Sequence, residues 1–177
     1  MRSRVTVALL AVAVVGGGLL ADRIDTDLPV DRPIVLPGGE GSVVPIGQGT
    51  VTVHGAAAAE SVEVDGERLE TRGRWIVVEV SLQGRSGPID DLSWWLEDTA
   101  GRRFEATDRV DVDLPQAQPG MSLRGPVVFE VAPDVELSEA TIVMTVDRYR
   151  QETAIRVPIE QEESVLTVTQ PEREELP

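Results

Sequence analysis

The residues that could do chemistry are few. His54 is the only histidine, and the chain has no cysteine. Without a thiol there is no disulfide, no thiolate metal site, no cysteine nucleophile and no lipid-modified N-terminal cysteine. A Ser-His-Asp hydrolase would need His54 as its base. That residue stands at a strand end, next to Gly55, and no Gly-x-Ser-x-Gly elbow occurs in the chain. Carboxylates abound. Asp90-Asp91 and the set Asp108, Asp111 and Asp113 are candidates for calcium, whose shell wants about six to eight oxygens. No Asp-x-Asp-x-Asp-Gly loop with a distal Glu accompanies them, so they read as a solvated, charged strand edge. The sequence therefore predicts no catalytic residue, no metal site, no cofactor and no enzyme.

Tryptophan is the remaining candidate chemistry, that of recognition. Trp75, Trp94 and Trp95 are the only three in the chain. Trp94 and Trp95 are neighbours, so in a strand they point to opposite faces. Trp75 falls on the face opposite Ile76, Val78 and Val80. Exposed tryptophan is enriched at binding hot spots, and these three are the candidate partner-binding patch. Burial beneath loops or the other sheet is the competing expectation for Trp75 and Trp95. Arg102-Arg103, beside a turn, reads as a solvated tip.

The elements that would carry these residues are strands. Gly73 to Gly84 has the strongest pattern: Ile76, Val78, Val80 and Leu82 recur at period two between two glycines, which suits a half-buried central strand. Gly49–His54 and Ser61–Val64 precede it, and Asp65-Gly66 is a hairpin turn. Ala56–Ala59 is compatible with one helical turn or a bulge. Leu92–Glu97 and Arg102–Ala106 flank the turn Asp98–Gly101. Asp108–Leu114, with Val110 and Val112 alternating against Asp111 and Asp113, predicts an exposed edge strand. Ser122–Val131 directs Val127, Phe129 and Val131 to one face. Ala140–Arg148 and Gln151–Glu160 form a hairpin about Tyr149-Arg150-Gln151, and Val165–Val168 adds a short strand. Seven to nine strands at short spacing, with no soluble helix, predict an all-β antiparallel sandwich; a barrel of similar strand count is the alternative.

Charge and hydropathy set the location. Residues 1–4 are basic and residues 5–21 carry no charge. That run would span about 25 Å as a helix, near the lower limit for crossing a bilayer. Acidic residues follow, so positive-inside logic places the bulk of the chain outside. The run is long for a signal-peptide core, and Leu19 occupies the position where cleavage after Ala21 prefers a small residue. A single-pass signal anchor is expected, with secretion after cleavage as the alternative. Residues 22–41 read as a linker, 42–168 as the sandwich and 169–177 as an acidic disordered tail. The net charge is −15. Such a domain repels phosphates and is not expected to bind nucleic acid.

Three stretches together resemble a known family: Gly73-Arg-Trp-Ile-Val-Val-Glu-Val, Leu96-Glu-Asp-Thr-Ala-Gly-Arg-Arg-Phe104, and Pro119-Gly-Met-Ser-Leu-Arg-Gly-Pro-Val-Val-Phe-Glu-Val131. In order and spacing they are similar to the extracellular immunoglobulin-like domain of actinobacterial exported proteins. That group includes the mycobacterial secreted immunogenic antigens and related membrane-anchored proteins of unknown function. The resemblance spans roughly Gly49 to Ile159. Gln83-Gly84 stands where the family commonly ends its central strand at Asn-x-Gly. The resemblance implies an immunoglobulin-like sandwich outside the membrane and brings no catalytic residues. The expectation is a non-catalytic module of the bacterial cell envelope that binds a protein partner or envelope component. A structural spacer or stalk holding a membrane complex is one alternative, and a metal-dependent envelope hydrolase is another.

Overall fold

Strand pairing satisfies most of the backbone. The computed structural model describes residues 34–175, except 90–91, 113, 136–138 and 147–150. It places ten strands there: β1 (Ile34–Gly39), β2 (Val43–Ile46), β3 (Gly49–Val64), β4 (Glu67–Gly84), β5 (Leu92–Glu97), β6 (Arg103–Glu105), β7 (Met121–Val131), β8 (Glu139–Val146), β9 (Gln151–Val168) and β10 (Glu172–Glu175). The basic leader 1–4, the expected membrane segment 5–21 and most of the expected linker lie outside the described residues. Among the described residues, no helix is long and apolar enough to cross a membrane.

The strands make two layers. One runs β1-β9-β8-β5-β6 and the other β10-β7-β4-β3, with β2 beside the first half of β3. β9 belongs to both. Its first half pairs with β1 and β8, and its second half, from Ile159, runs along β3. The β1–β9 and β3–β9 pairs are parallel, which corrects the expectation of an antiparallel sandwich throughout. The rest of the ladder is antiparallel.

β4 is central in its layer, between β3 and β7. Ile76, Val78, Val80 and Leu82 are fully buried on its inner face. β4 starts at Glu67, so Gly73 lies within it and, contrary to expectation, does not bound it; Gly73 and Gly84 both permit close backbone approach. A Cβ on Gly73 would lie 1.9 Å from the Val131 carbonyl oxygen, and one on Gly84 would lie 2.4 Å from that of Gln118. The β3–β4 turn has Asp65 at φ +51° and Gly66 at φ +83°, the double left-handed geometry of a type I′ hairpin.

Ala56–Ala59 is neither helical turn nor isolated bulge. It is the middle of one continuous β3 that merges the two expected strands. Register shifts bracket it at Val53/Gly55 and Ala59/Ser61. This is where β9 arrives alongside, Ile159 opposite Ala56 and Gln161 opposite Ala57. Ala58 and Ala59 are buried there, where short side chains suit the crowding of a strand entering a second sheet. Val165–Val168 is the end of β9 and not a separate strand.

Three further boundaries differ from expectation. β1 forms within the expected linker and β10 within the expected disordered tail. Each is short and polar or glycine-containing, and each gains order only by pairing with a distant strand, β9 or β7. Asp108–Val112 is not a ladder strand. It folds back, the Val112 N–H donating to the Val110 carbonyl at 2.8 Å, and forms a strap over the outer face of β4 and β7.

The main core lies between the layers. Val51 and Val53 of β3, the inner face of β4, Phe129 and Val131 of β7, Trp94 and Leu96 of β5, Ile142 and Met144 of β8, and Ile155 and Val157 of β9 meet there. A second, smaller core lies under the strap: Trp75, Ala59, Val62, Val64, Val128 and Val168, capped by Val110. Arg109 pins the strap. Its guanidinium lies 5.1 Å from the centroid of the Trp75 ring, donates to Glu130 Oε2 at 2.7 Å and to the Glu70 carbonyl at 3.1 Å. Glu130 also accepts from the Thr71 hydroxyl. The Thr71 hydrogen bond, followed by that of Arg109, outweighs partial burial and holds the Glu130 carboxyl below its ordinary range.

The β5–β6 hairpin is organised by Asp98, whose side chain is 2% exposed. Its Oδ1 accepts from the N–H groups of Ala100 at 2.9 Å and Arg102 at 2.8 Å, and its Oδ2 from Arg102 Nε at 2.7 Å. Arg102 also reaches Asp134 at 3.0 Å, so it is a clasp and not a merely solvated tip. Burial alone would raise the Asp98 carboxyl; the Arg102 side chain and the two backbone donors reverse that and lower it.

Two outcomes follow from these cores. Trp75→Ala costs about 3–5 kcal/mol of stability, as for other deeply buried aromatics. Urea unfolding measures it, and a loss under about 1 kcal/mol would mean the ring is not packed as described. For Asp98, the folded value lies below the unfolded one, so the native state binds fewer protons. Its stabilisation is present above the ordinary carboxylate value of 3.8 and is lost as pH falls through the lower folded value. Asp98→Asn therefore destabilises at about pH 6, and its gap from wild type narrows towards about pH 3. A gap of constant size across that range would contradict the assignment.

Candidate functional site

The layers are joined differently on their two sides. On one side β9 carries the ladder continuously from layer to layer. On the other, the end of β6 stands between β5 and β7, with Ala106 bridged to Phe129. Ala106 N–H donates to the Trp94 carbonyl at 3.1 Å and Thr107 N–H to the Val128 carbonyl at 2.9 Å. The chain then leaves as the strap and returns at Ala117, which exchanges hydrogen bonds with Ile89 at 3.0 and 3.2 Å. β6 covers β5 only from Trp95 to Glu97. β10 covers β7 only from Met121 to Arg124.

Between these closures a cleft of about 540 Å³ remains. Leu92, Ser93 and Trp95 of β5 and Pro126 to Val128 of β7 form its two walls, and Val110, Val112 and Leu114 of the strap line it as well. Among the described residues its charged lining is Glu105 and Asp108, both exposed, with no arginine or histidine. The cleft thus mixes aliphatic and polar lining, with Ser93, Thr107 and Gln116 among the polar residues, behind an anionic rim, and lies in the size range of ligand sites.

The three tryptophans do not form one exposed patch. Trp75 is fully buried under the strap, and its Nε1–H has no partner among the described residues. Trp94 is 9% exposed and belongs to the main core. Trp95 is half-buried and lines the cleft. The period of two assigns Trp75 to the outer face correctly, but the strap that covers it comes from about 35 residues further along, a distance no local pattern reports.

His54 is exposed on β3, beside Ser81 of β4. It is the extra residue of the β3 bulge, and its Nε2 lies 2.7 Å from the Ser81 hydroxyl. A groove of about 400 Å³ runs past it over Ala56, Ala57 and Val77, rimmed by Glu40, Glu79 and Arg124. Arg124 donates to Glu79 at 2.9 Å. Among the described residues no carboxylate is hydrogen-bonded to the second ring nitrogen of His54, so the pair lacks the orienting acid of a triad. Of the calcium candidates, Asp108 and Asp111 are exposed, while Asp90, Asp91 and Asp113 lie outside the described residues. Among the described residues there is no group of three or more acids or histidines able to hold a metal ion.

Sequence reasoning did not find Leu92, Val128 or Glu105, and it named Asp108 only as a calcium candidate. One signal was available. Pro126 sits inside an otherwise strong strand pattern, and proline in a strand marks a free edge.

No protein-family model matches this chain, and no curated protein does. Two solved structures resemble it. One is an uncharacterised β-sandwich protein from Clostridium difficile 630, with 10% identity over 71% of this chain and 97% of that one, at a TM-score of 0.50. The other is the yjhA protein from Bacillus subtilis, with 13% identity over 67% of this chain and 99% of that one, at a TM-score of 0.42. The first likeness is one of fold: this chain is an all-β protein with the architecture of a β-sandwich.

Proposed function

We propose that this chain is a non-catalytic binding module of the bacterial cell envelope, with an immunoglobulin-like sandwich of the actinobacterial exported type. Residues 5–21 hold it in the cytoplasmic membrane, and the sandwich stands outside and engages a protein partner. The cleft between β5 and β7 is the binding site. The observation that carries this reading is the slot itself: aliphatic walls, Trp95 beside them, and Glu105 and Asp108 at the rim. Aliphatic walls interrupted by a few polar side chains suit a recognition site, and a tryptophan at its side is a suitable anchor. The His54–Ser81 pair, by contrast, has the geometry of an ordinary contact across adjacent strands.

Cross-linking capture from envelope membranes tests the proposal, using the full chain alongside Trp95→Ala, Glu105→Arg and His54→Ala. The wild type and His54→Ala retain a common protein, and the two cleft variants retain it at least about fivefold less, as expected when a hot-spot side chain is lost. Equal recovery by all four chains, or a partner lost only with His54→Ala, would overturn the cleft as the site.

A further inference from the structure

The backbone of the cleft says what kind of partner it takes. In a strand, the N–H and C=O of one residue point to the same side, and the side alternates with each residue. The Trp94 carbonyl accepts from Ala106, so Trp94 directs its polar groups towards the seam, and Leu92, two residues back, does the same. Leu92 pairs with Val146 of β8 on its other side and has no strand beside it on this one. On the opposite wall the Val128 carbonyl accepts from Thr107, so the Val128 N–H and the Pro126 C=O share that free edge. None of the described residues is paired with the Leu92 N–H or C=O across the seam, or with the Val128 N–H. Pro126 has no N–H to satisfy, which suits a strand segment left without a neighbour.

Resting on the binding reading above, we infer that the cleft takes a short extended segment of a polypeptide partner, positively charged, which adds to the Leu92–Trp94 edge as a β-strand. Unpaired main-chain donors and acceptors at a sheet edge are the template for strand addition. Aliphatic lining receives alternate side chains of the incoming strand. The charge of the partner follows from the rim. Glu105 and Asp108 stand at the slot on a chain of net charge −15, and no cation lines it among the described residues. An acidic segment, including this chain's own acidic C-terminal stretch, is repelled there. The Ala106 hydrogen bond bounds the seam beyond Trp94, and the described edge from Leu92 to Trp94 offers room for two or three partner residues, about 7–10 Å of extended chain.

The test uses the full chain and defined peptides of about eight residues, followed by chemical shifts of the Leu92 and Val128 amides. The first peptide alternates Arg and Val. The second alternates Glu and Val. The third is the Arg–Val peptide with alternate backbone nitrogens methylated on its pairing edge. The expected result is saturable binding of the first peptide, and Kd values at least about tenfold weaker for the Glu–Val peptide, through repulsion at the anionic rim, and for the methylated peptide, the factor that one lost hydrogen bond accounts for. Leu92→Pro, which deletes the edge donor but leaves the β8 side of the ladder, weakens the first peptide by a similar factor. Leu92→Ala, which keeps the N–H and loses only side-chain contact with the partner, weakens it less than Leu92→Pro does. Equal binding of the methylated peptide means side chains alone do the work and overturns strand addition, whatever the fold of the variants. No binding of the Arg–Val peptide also overturns it. If partner capture still depends on Trp95 and Glu105 in that case, the cleft remains the binding site and only the mode of recognition falls.

Discussion

Every backbone N–H and C=O in a folded chain needs a partner or water, and the shape of this molecule follows from how unevenly that demand is met. β9 spans both layers, so on its side the hydrogen-bonded ladder turns the corner without a break. Among the described residues no strand does the same on the opposite side. There, the end of β6 bonds to both layers, to Trp94 of β5 and by a bridge to Phe129 of β7, and the chain departs as the strap. The result is a sandwich sealed along one seam and only stitched along the other. Its cleft is the unsealed part.

The strap shows how a second core arises outside the sandwich. An outward-facing Trp75 on a central strand would expose a large apolar ring. Val110 covers it, and Arg109 is held over it by Glu130 and the Glu70 carbonyl. The indole N–H is left without a partner among the described residues, a cost set against the burial of the ring. The same strap lines the cleft through Val110 and Val112, so the wall of the site and the cover of the second core are one segment.

What the sequence made legible was local. The inner face of β4, the Asp65-Gly66 turn and the β5–β6 hairpin each follow from residues within a few positions of one another, and each is found where the pattern puts it. What stayed hidden depends on partners far away in the chain. β1 and β10 are strands only because β9 and β7 offer them an edge. The parallel run of β9 along β3 joins residues about 100 positions apart, and no periodicity in Val165–Val168 says which strand it will meet. Val110 and Val112 alternate as an edge strand would, yet burial against Trp75 prevails over ladder pairing. The site was missed for the same reason. It is made of gaps between strands, and only Pro126 hinted at one.

The open seam is the central claim, and amide hydrogen exchange of the free, full-length chain tests it most directly. Leu92 and Val128 should exchange orders of magnitude faster than Ser93 and Val127, their neighbours in sequence, whose N–H groups face β8 and β4. Strong and equal protection of all four would show that the seam is closed by hydrogen bonds, and the account of the cleft would be wrong.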